Sequence, residues 1–351
     1  MEFLIEYGLF LAKAVTIVVA IGLVIGLLVS AGSRDKKDAP GHIEVRHLND
    51  DFEDMRDTLK HALMNDHELK AEYKAEKKAA KEKDKAEKKA LKKDDSPEVK
   101  KRVYVLDFDG DMKASATAHL REEITAVLTM ARPEDEVVVK LESGGGMVHS
   151  YGLASSQLAR ISSKGIPLTV CVDKVAASGG YMMACVADKI LAAPFAIIGS
   201  IGVVAQLPNF NRLLKKNDID VELLTAGEHK RTLTMFGENT DKDREKFIED
   251  LEDTHALFKE FVKEHRDVVD INAVASGDVW YGSRAMGVNL VDGLETSDEY
   301  LNAQMDSANI YAISFEHKKT LPEKMGIAAQ HAVDGVLLNW WQRAQNSRWF
   351  T

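Results

Sequence analysis

From Val103 onward the chain repeats one local texture: a short apolar run, a polar or glycine-bearing turn, then a stretch of helix formers. Val103–Leu106, Val137–Leu141 and Pro167–Val172 read as strands, with helices over Ser115–Ala131, Val148–Ser162 and Ala176–Val186. Apolar residues fill the centres of these strands at consecutive positions. Such strands are buried on both faces, which occurs where crossover helices cover a parallel sheet. The pattern predicts an α/β domain. Ile190–Ala193, Ile197–Val204 and Val221–Thr225 add short strands, and Asp241–Arg266 a long helix. With 351 residues, 45% of them hydrophobic, the chain has ample material for a core. Cys171 and Cys185 both lie in apolar runs, and no CxxC or Cys/His spacing suggests zinc. They read as buried thiols, with no metal or other cofactor called for.

The first hundred residues are of another kind. Ala14–Ala31 is 18 residues without a charge, about 27 Å as a helix at 1.5 Å per residue, close to a hydrocarbon core. Glu2 and Glu6 precede it where a cleaved leader would be basic, so the segment reads as a retained anchor. Leu48, Phe52, Met55, Leu59 and Leu63 mark one face of an amphipathic helix suited to packing or self-association. Lys70–Lys93 holds eleven lysines and five acidic residues, a local +6 against the net −10 of the chain. Lys77, Lys81, Lys85, Lys89 and Lys93 would form one ridge of a helix. That stretch suits a solvated spacer or a contact to anionic lipid headgroups. The overall acidity argues against nucleic acid as a partner. Tyr181–Asn211 is apolar enough to resemble a second span, but Asp188, Lys189, Pro194 and Pro208 interrupt it.

Two glycine-rich turns follow strands. Ser143-Gly144-Gly145-Gly146 has neither a Walker lysine nor the spacing of a dinucleotide fingerprint. It is either a backbone anion cradle or a tight strand-to-helix turn. In Ala177-Ser178-Gly179-Gly180-Tyr181, Ser178 opens a helix, where free N–H groups favour developing negative charge. An ordinary N-cap serine has the same local chemistry. A nucleophilic serine also needs a base. His149, His229 (paired with an Asp such as Asp173) and Lys230 are the candidates, and local chemistry does not choose among them.

Five motifs stand in one order: Ser143–Gly146, Ser178–Tyr181, Gly199-Ser200-Ile201-Gly202-Val203, Gly227–Lys230, and Tyr281-Gly282 leading to Leu290-Val291-Asp292-Gly293. In this they resemble the signal peptide peptidase A family of serine peptidases, over roughly Val103 to Gly293. The resemblance implies a ClpP/crotonase-like spiral of ββα units, here preceded by a transmembrane helix and a charged helical spacer. It implies a Ser-Lys dyad, with Ser178 as nucleophile and Lys230 as general base. Gly145 and Gly179 then supply the oxyanion N–H donors. Ser200 matches no step. The family usually has proline where Gly144 stands; glycine leaves that loop looser.

The expected organisation is an anchor over 1–33, a spacer over 34–97, a Ser-Lys peptidase domain over 98–300 and an extension over 301–351. The extension carries Val336–Trp341 and Trp349-Phe350, fitting a subunit interface, a membrane surface or its own domain. The expected activity is membrane-anchored endopeptidase action on small or hydrophobic, signal-peptide-like substrates. Expected partners are peptides, a bacterial inner membrane and a homo-oligomeric ring. The alternatives are a catalytically silent scaffold on the same fold, or a crotonase-like acyl-CoA enzyme. The resemblance places the domain on the periplasmic side. Arg34, Lys36 and Lys37 after the anchor pull it towards the cytoplasm.

Overall fold

The computed structural model describes residues 7–9, 13, 16, 41–91, 100–227 and 230–317. The proposed span over 14–31, the close of the spacer at Ser96-Pro97 and the tail after residue 317 lie wholly or almost wholly outside them. No helix among the described residues is long and apolar enough to cross a membrane. Ile43–Phe315 forms one compact unit; residues 1–42 and 316–351 make a second.

In chain order the elements are β1 (His42–His47), α1 (Leu48–Leu63), α2 (Asp66–Leu91), β2 (Lys101–Gly110), α3 (Thr117–Leu128), β3 (Glu136–Ser143) and α4 (Val148–Ser162). Then come β4 (Leu168–Val172), β5 (Val175–Ala177), α5 (Gly179–Ala184), β6 (Lys189–Ala192), β7 (Ile197–Gly199), α6 (Asn211–Lys216) and α7 (Asp241–His265). The remainder are α8 (Ile271–Val274), β8 (Val279–Tyr281), α9 (Gly282–Ala285), β9 (Gly293–Leu294), α10 (Ser297–Gln304) and β10 (Ala308–Glu316).

The sheet runs β1-β10-β2-β3-β4-β6-β9. Pairing from β10 across to β9 is parallel, as the apolar strands predict. A branch leaves it where Ser143, the last residue of β3, pairs with Ala176 of β5. Strand β5 then pairs parallel with β7, which pairs antiparallel with β8. The sheet is therefore mixed, and the branch gathers the ends of β3, β5 and β7.

Alternate residues divide between two cores. Tyr104, Leu106, Phe108, Val137, Val139 and Leu141 face α3 and α4. Val103, Val105, Val138, Cys171 and Ile310 face the other way, onto Leu301, with Leu48 and Phe52 of α1 packed against them. Only the first turns of α1 use its apolar stripe: Met55, Leu59 and Leu63 are exposed. Burial pushes the thiols of Cys171 and Cys185 up to about 12, so both are inert core groups, as expected.

The strand expected over Ile197–Val204 ends at Gly199, and two further expectations fail. The helix expected over Ala176–Val186 is a strand up to Ala177 and a helix only from Gly179. Pairing with β3 and β7 overrides the helical preference of the alanines. No strand forms over Val221–Thr225, an exposed stretch that offers β-formers but has no partner strand. A strand is held by its neighbours.

Candidate active site

The chain change from β5 to α5 forces Ser178 into an unusual backbone conformation, φ 52° and ψ −119°. Non-glycine residues seldom accept positive φ, and where the surroundings impose it the site is often functional. Two bonds impose it here. The Ser178 N–H donates to Gly199 O (2.8 Å), and the Ser178 carbonyl accepts the Met182 N–H (2.9 Å). The side chain is left half-buried at the junction of the three strand ends.

The glycine turn after β3 closes onto this serine. Gly145 has φ 87°, and a Cβ there would lie 2.7 Å from both Gly179 N and Ser178 Cβ. Gly179 rests on the ring of Tyr151, which leaves no space for a side chain. The structure thus brings Ser178, Gly145 and Gly179 together. The Gly145 N–H, however, points to Ser143 Oγ at 3.0 Å.

A small cavity of about 20 Å³ adjoins Ser178, lined by Gly146, Val148, Gly179, Met182, Gly202, Val203, Thr254 and Phe258. Of the apolar run Tyr181–Met183, only Met182 takes part. Tyr181 is fully buried and donates to Leu290 O (3.0 Å). Thr254 and Phe258 come from α7 and were missed. The buried stripe of Phe258 and Val262 is visible as helical spacing, but nothing local says that its neighbour faces a serine.

Neither His149 nor Lys230 hydrogen-bonds to Ser178. Lys230 is exposed, its backbone N–H on Gly227 O (3.2 Å). Glu228 and His229 lie outside the described residues. His149 is exposed. Asp173 accepts from the Ser297 N–H (2.8 Å) and hydroxyl (2.6 Å), holding the start of α10. Ser200 also has positive φ (52°), with its N–H on Asp278 O (2.7 Å). Among the described residues no cluster of His, Cys, Asp and Glu could hold a metal ion.

Two family models match in succession: "Peptidase family S49 N-terminal" over residues 2–158 and "Peptidase family S49" over 160–311. A "Probable protease SohB" of Haemophilus influenzae is 48% identical over 338 residues, 96% of each chain. A second protein of that name, from Buchnera aphidicola of Acyrthosiphon pisum, is 54% identical over 68% of this chain and 71% of its own. Among solved structures, a 1510-N membrane-bound stomatin-specific protease aligns at TM-score 0.38 and 12% identity, covering 65% of this chain and 96% of that one.

Proposed function

The chain belongs to peptidase family S49, so the resemblance read from its five motifs holds, and from that premise we propose that Ser178 is the nucleophile of a membrane-anchored Ser-Lys endopeptidase. The observation that carries this reading is the backbone of Ser178, held at φ 52° with Gly145 closed against it. A strained turn that presents a hydroxyl beside backbone N–H groups suits acyl transfer.

In this reading the Lys230 amine, as the free base, takes the Ser178 proton while Oγ attacks a peptide carbonyl. The Gly179 N–H meets the developing oxyanion. The Gly145 N–H exchanges Ser143 Oγ for that oxyanion, a neutral bond for a charge-assisted one. The proton passes to the leaving amine, and water then releases the acyl group. The architecture is that of a ClpP/crotonase-like spiral, with no cofactor. Hydrophobic or small peptides are the substrate class, supported by the apolar lining of Met182, Val148 and Phe258. Val204 (91% exposed) and Leu224 (89%) belong to an apolar surface that supports a homo-oligomer, in which Lys230 is brought to Ser178. In this reading the apolar segment over 14–31 anchors the enzyme in a bacterial inner membrane, and the family resemblance supports a periplasmic catalytic domain.

Cleavage of unstructured and signal-peptide-like substrates by the wild type, Ser178→Ala and Lys230→Ala tests this. Loss in both variants is expected. Cleavage that survives Lys230→Ala moves the base elsewhere, and a folded, assembled wild type that cleaves nothing favours the scaffold.

A further inference from the structure

Beneath the oxyanion loop runs a buried chain of hydroxyls that the mechanism above does not use. Tyr151 OH donates to the Asp111 carbonyl (2.7 Å). A phenol has one proton, and here that bond takes it. The 2.6 Å contact between Tyr151 OH and Ser143 Oγ is then donated by the serine, in preference to its longer contact with Gly110 O (3.3 Å). Ser143 Oγ is left as the acceptor for the Gly145 N–H (3.0 Å). The order is therefore Gly145 N–H to Ser143, Ser143 to Tyr151, and Tyr151 to the end of β2. Both side chains are buried, Tyr151 completely. Burial also pushes the phenol up from its ordinary value, so it keeps the proton that this order requires.

The same tyrosine carries the other arm of the site. Its ring is the surface on which Gly179 rests, close enough that a Cβ there would strike Cγ. One side chain thus supports the start of α5 with its ring and the glycine turn with its hydroxyl. The turn needs such a support. Gly144, Gly145 and Gly146 are three consecutive residues of greatest backbone freedom, and no proline stiffens them.

We propose that Tyr151 and Ser143 are positioning residues that set the oxyanion loop against Gly179, doing by hydrogen bonds what a proline at position 144 would do by φ. The inference rests on Ser178 being the nucleophile. Two effects oppose each other, because the relay also holds the Gly145 N–H that the oxyanion needs. Releasing one neutral hydrogen bond costs about what fixing a single residue's backbone does, and the relay orders a turn of three glycines. Ordering wins, so removing the relay slows the reaction.

The test follows the rate constant and the final extent of Ser178 labelling by a fluorophosphonate on the full chain, by intact mass, beside thermal melting and peptide kinetics. Ser143→Ala should slow labelling and lower kcat by about tenfold or more, with KM within about twofold, as for a misplaced oxyanion donor. Tyr151→Phe keeps the ring and should lose about three- to tenfold, because Ser143 can still accept from Gly145. The double variant should be no slower than Ser143→Ala alone, since the pair acts as one unit. A merely structural role would lower the melting temperature and the labelled fraction while leaving the rate constant unchanged, and that result overturns the proposal. So do losses that multiply in the double variant. If Ser143→Ala does not fold, Tyr151→Phe decides by the same criteria. A wild type that labels no faster than Ser178→Ala defeats the nucleophile reading itself, a failure distinct from loss of the relay alone.

Discussion

The two proposed halves of the dyad come from regions built on different physics. Ser178 sits where three strands end, over a core in which Val137, Val139, Tyr151, Leu158 and Ile198 are completely buried. Lys230 sits in the segment after β7, where α6 is the only regular element before α7 among the described residues and Val204 and Leu224 are almost fully exposed. The first region is over-determined by its own chain, which is how a strained residue such as Ser178 persists. The second stacks Phe210 on Phe236 but leaves other apolar side chains, Val204 and Leu224 foremost, in the open. The contrast teaches that a single chain can preform the proposed nucleophile and its glycine turn while leaving the proposed base exposed.

The largest effect that would break this comparison is chemical. Ser178→Ala should cut peptide cleavage by about 10³-fold or more while the melting temperature stays near wild type. Unaltered cleavage would leave the rigid region with no catalytic role. Gly145→Ala comes next, at about 10²-fold in kcat, because its Cβ has no room beside Gly179 N and its φ is positive. A wild-type kcat for that variant would show that the turn gives way.

The rigid region can also be probed by stability. Asp135 is buried between Arg102 (2.7 Å) and Arg132 (2.9 Å). Asp135→Ala should cost about 3 kcal/mol in denaturant unfolding, the usual penalty for leaving a charge without its buried partner. The acid limb has the same origin. Burial alone would raise the Glu136 carboxyl, but hydrogen bonds from Lys101, Tyr300 and Thr169 outweigh it and hold it below its ordinary value. Its contribution is complete above the normal carboxylate range and is lost as pH falls through the depressed value. Melting temperature should therefore drop at acid pH, and the drop should be shallower in Glu136→Gln. A steeper drop in that variant would contradict the assignment.

The smallest expected effect concerns the loose region. Leu224→Ser should change single-chain stability by less than about 0.5 kcal/mol, since the side chain is 89% exposed. It should nevertheless weaken self-association in sedimentation and lower activity with it. Unchanged association would mean that this surface is not an interface.

The sequence carried the rigid region well. Consecutive apolar positions in Val103–Leu106 and Val137–Leu141 gave parallel strands, and the helix expected over Val148–Ser162 has those bounds in the structure. The five ordered motifs gave the family. What was illegible depends on neighbours distant in the chain. Ala176 and Ala177 become strand only because β3 and β7 flank them, and Val221–Thr225 fails to become one for want of such flanks. The junction of Thr254 and Phe258 with Ser178, and the seat that Tyr151 makes for Gly179, arise from packing that no local pattern encodes.

The claim that joins the two regions is that Lys230 activates Ser178. The most direct measurement is the rate constant of Ser178 phosphonylation by a fluorophosphonate, with loss of fluoride, as a function of pH, in the wild type and in Lys230→Ala. A lysine acts as a base only as the free amine, so the wild-type rate should climb with pH through the neutral and mildly alkaline range. In Lys230→Ala both the rate and most of that climb should be lost. A Lys230→Ala chain that reacts at the wild-type rate with the wild-type profile would contradict the dyad.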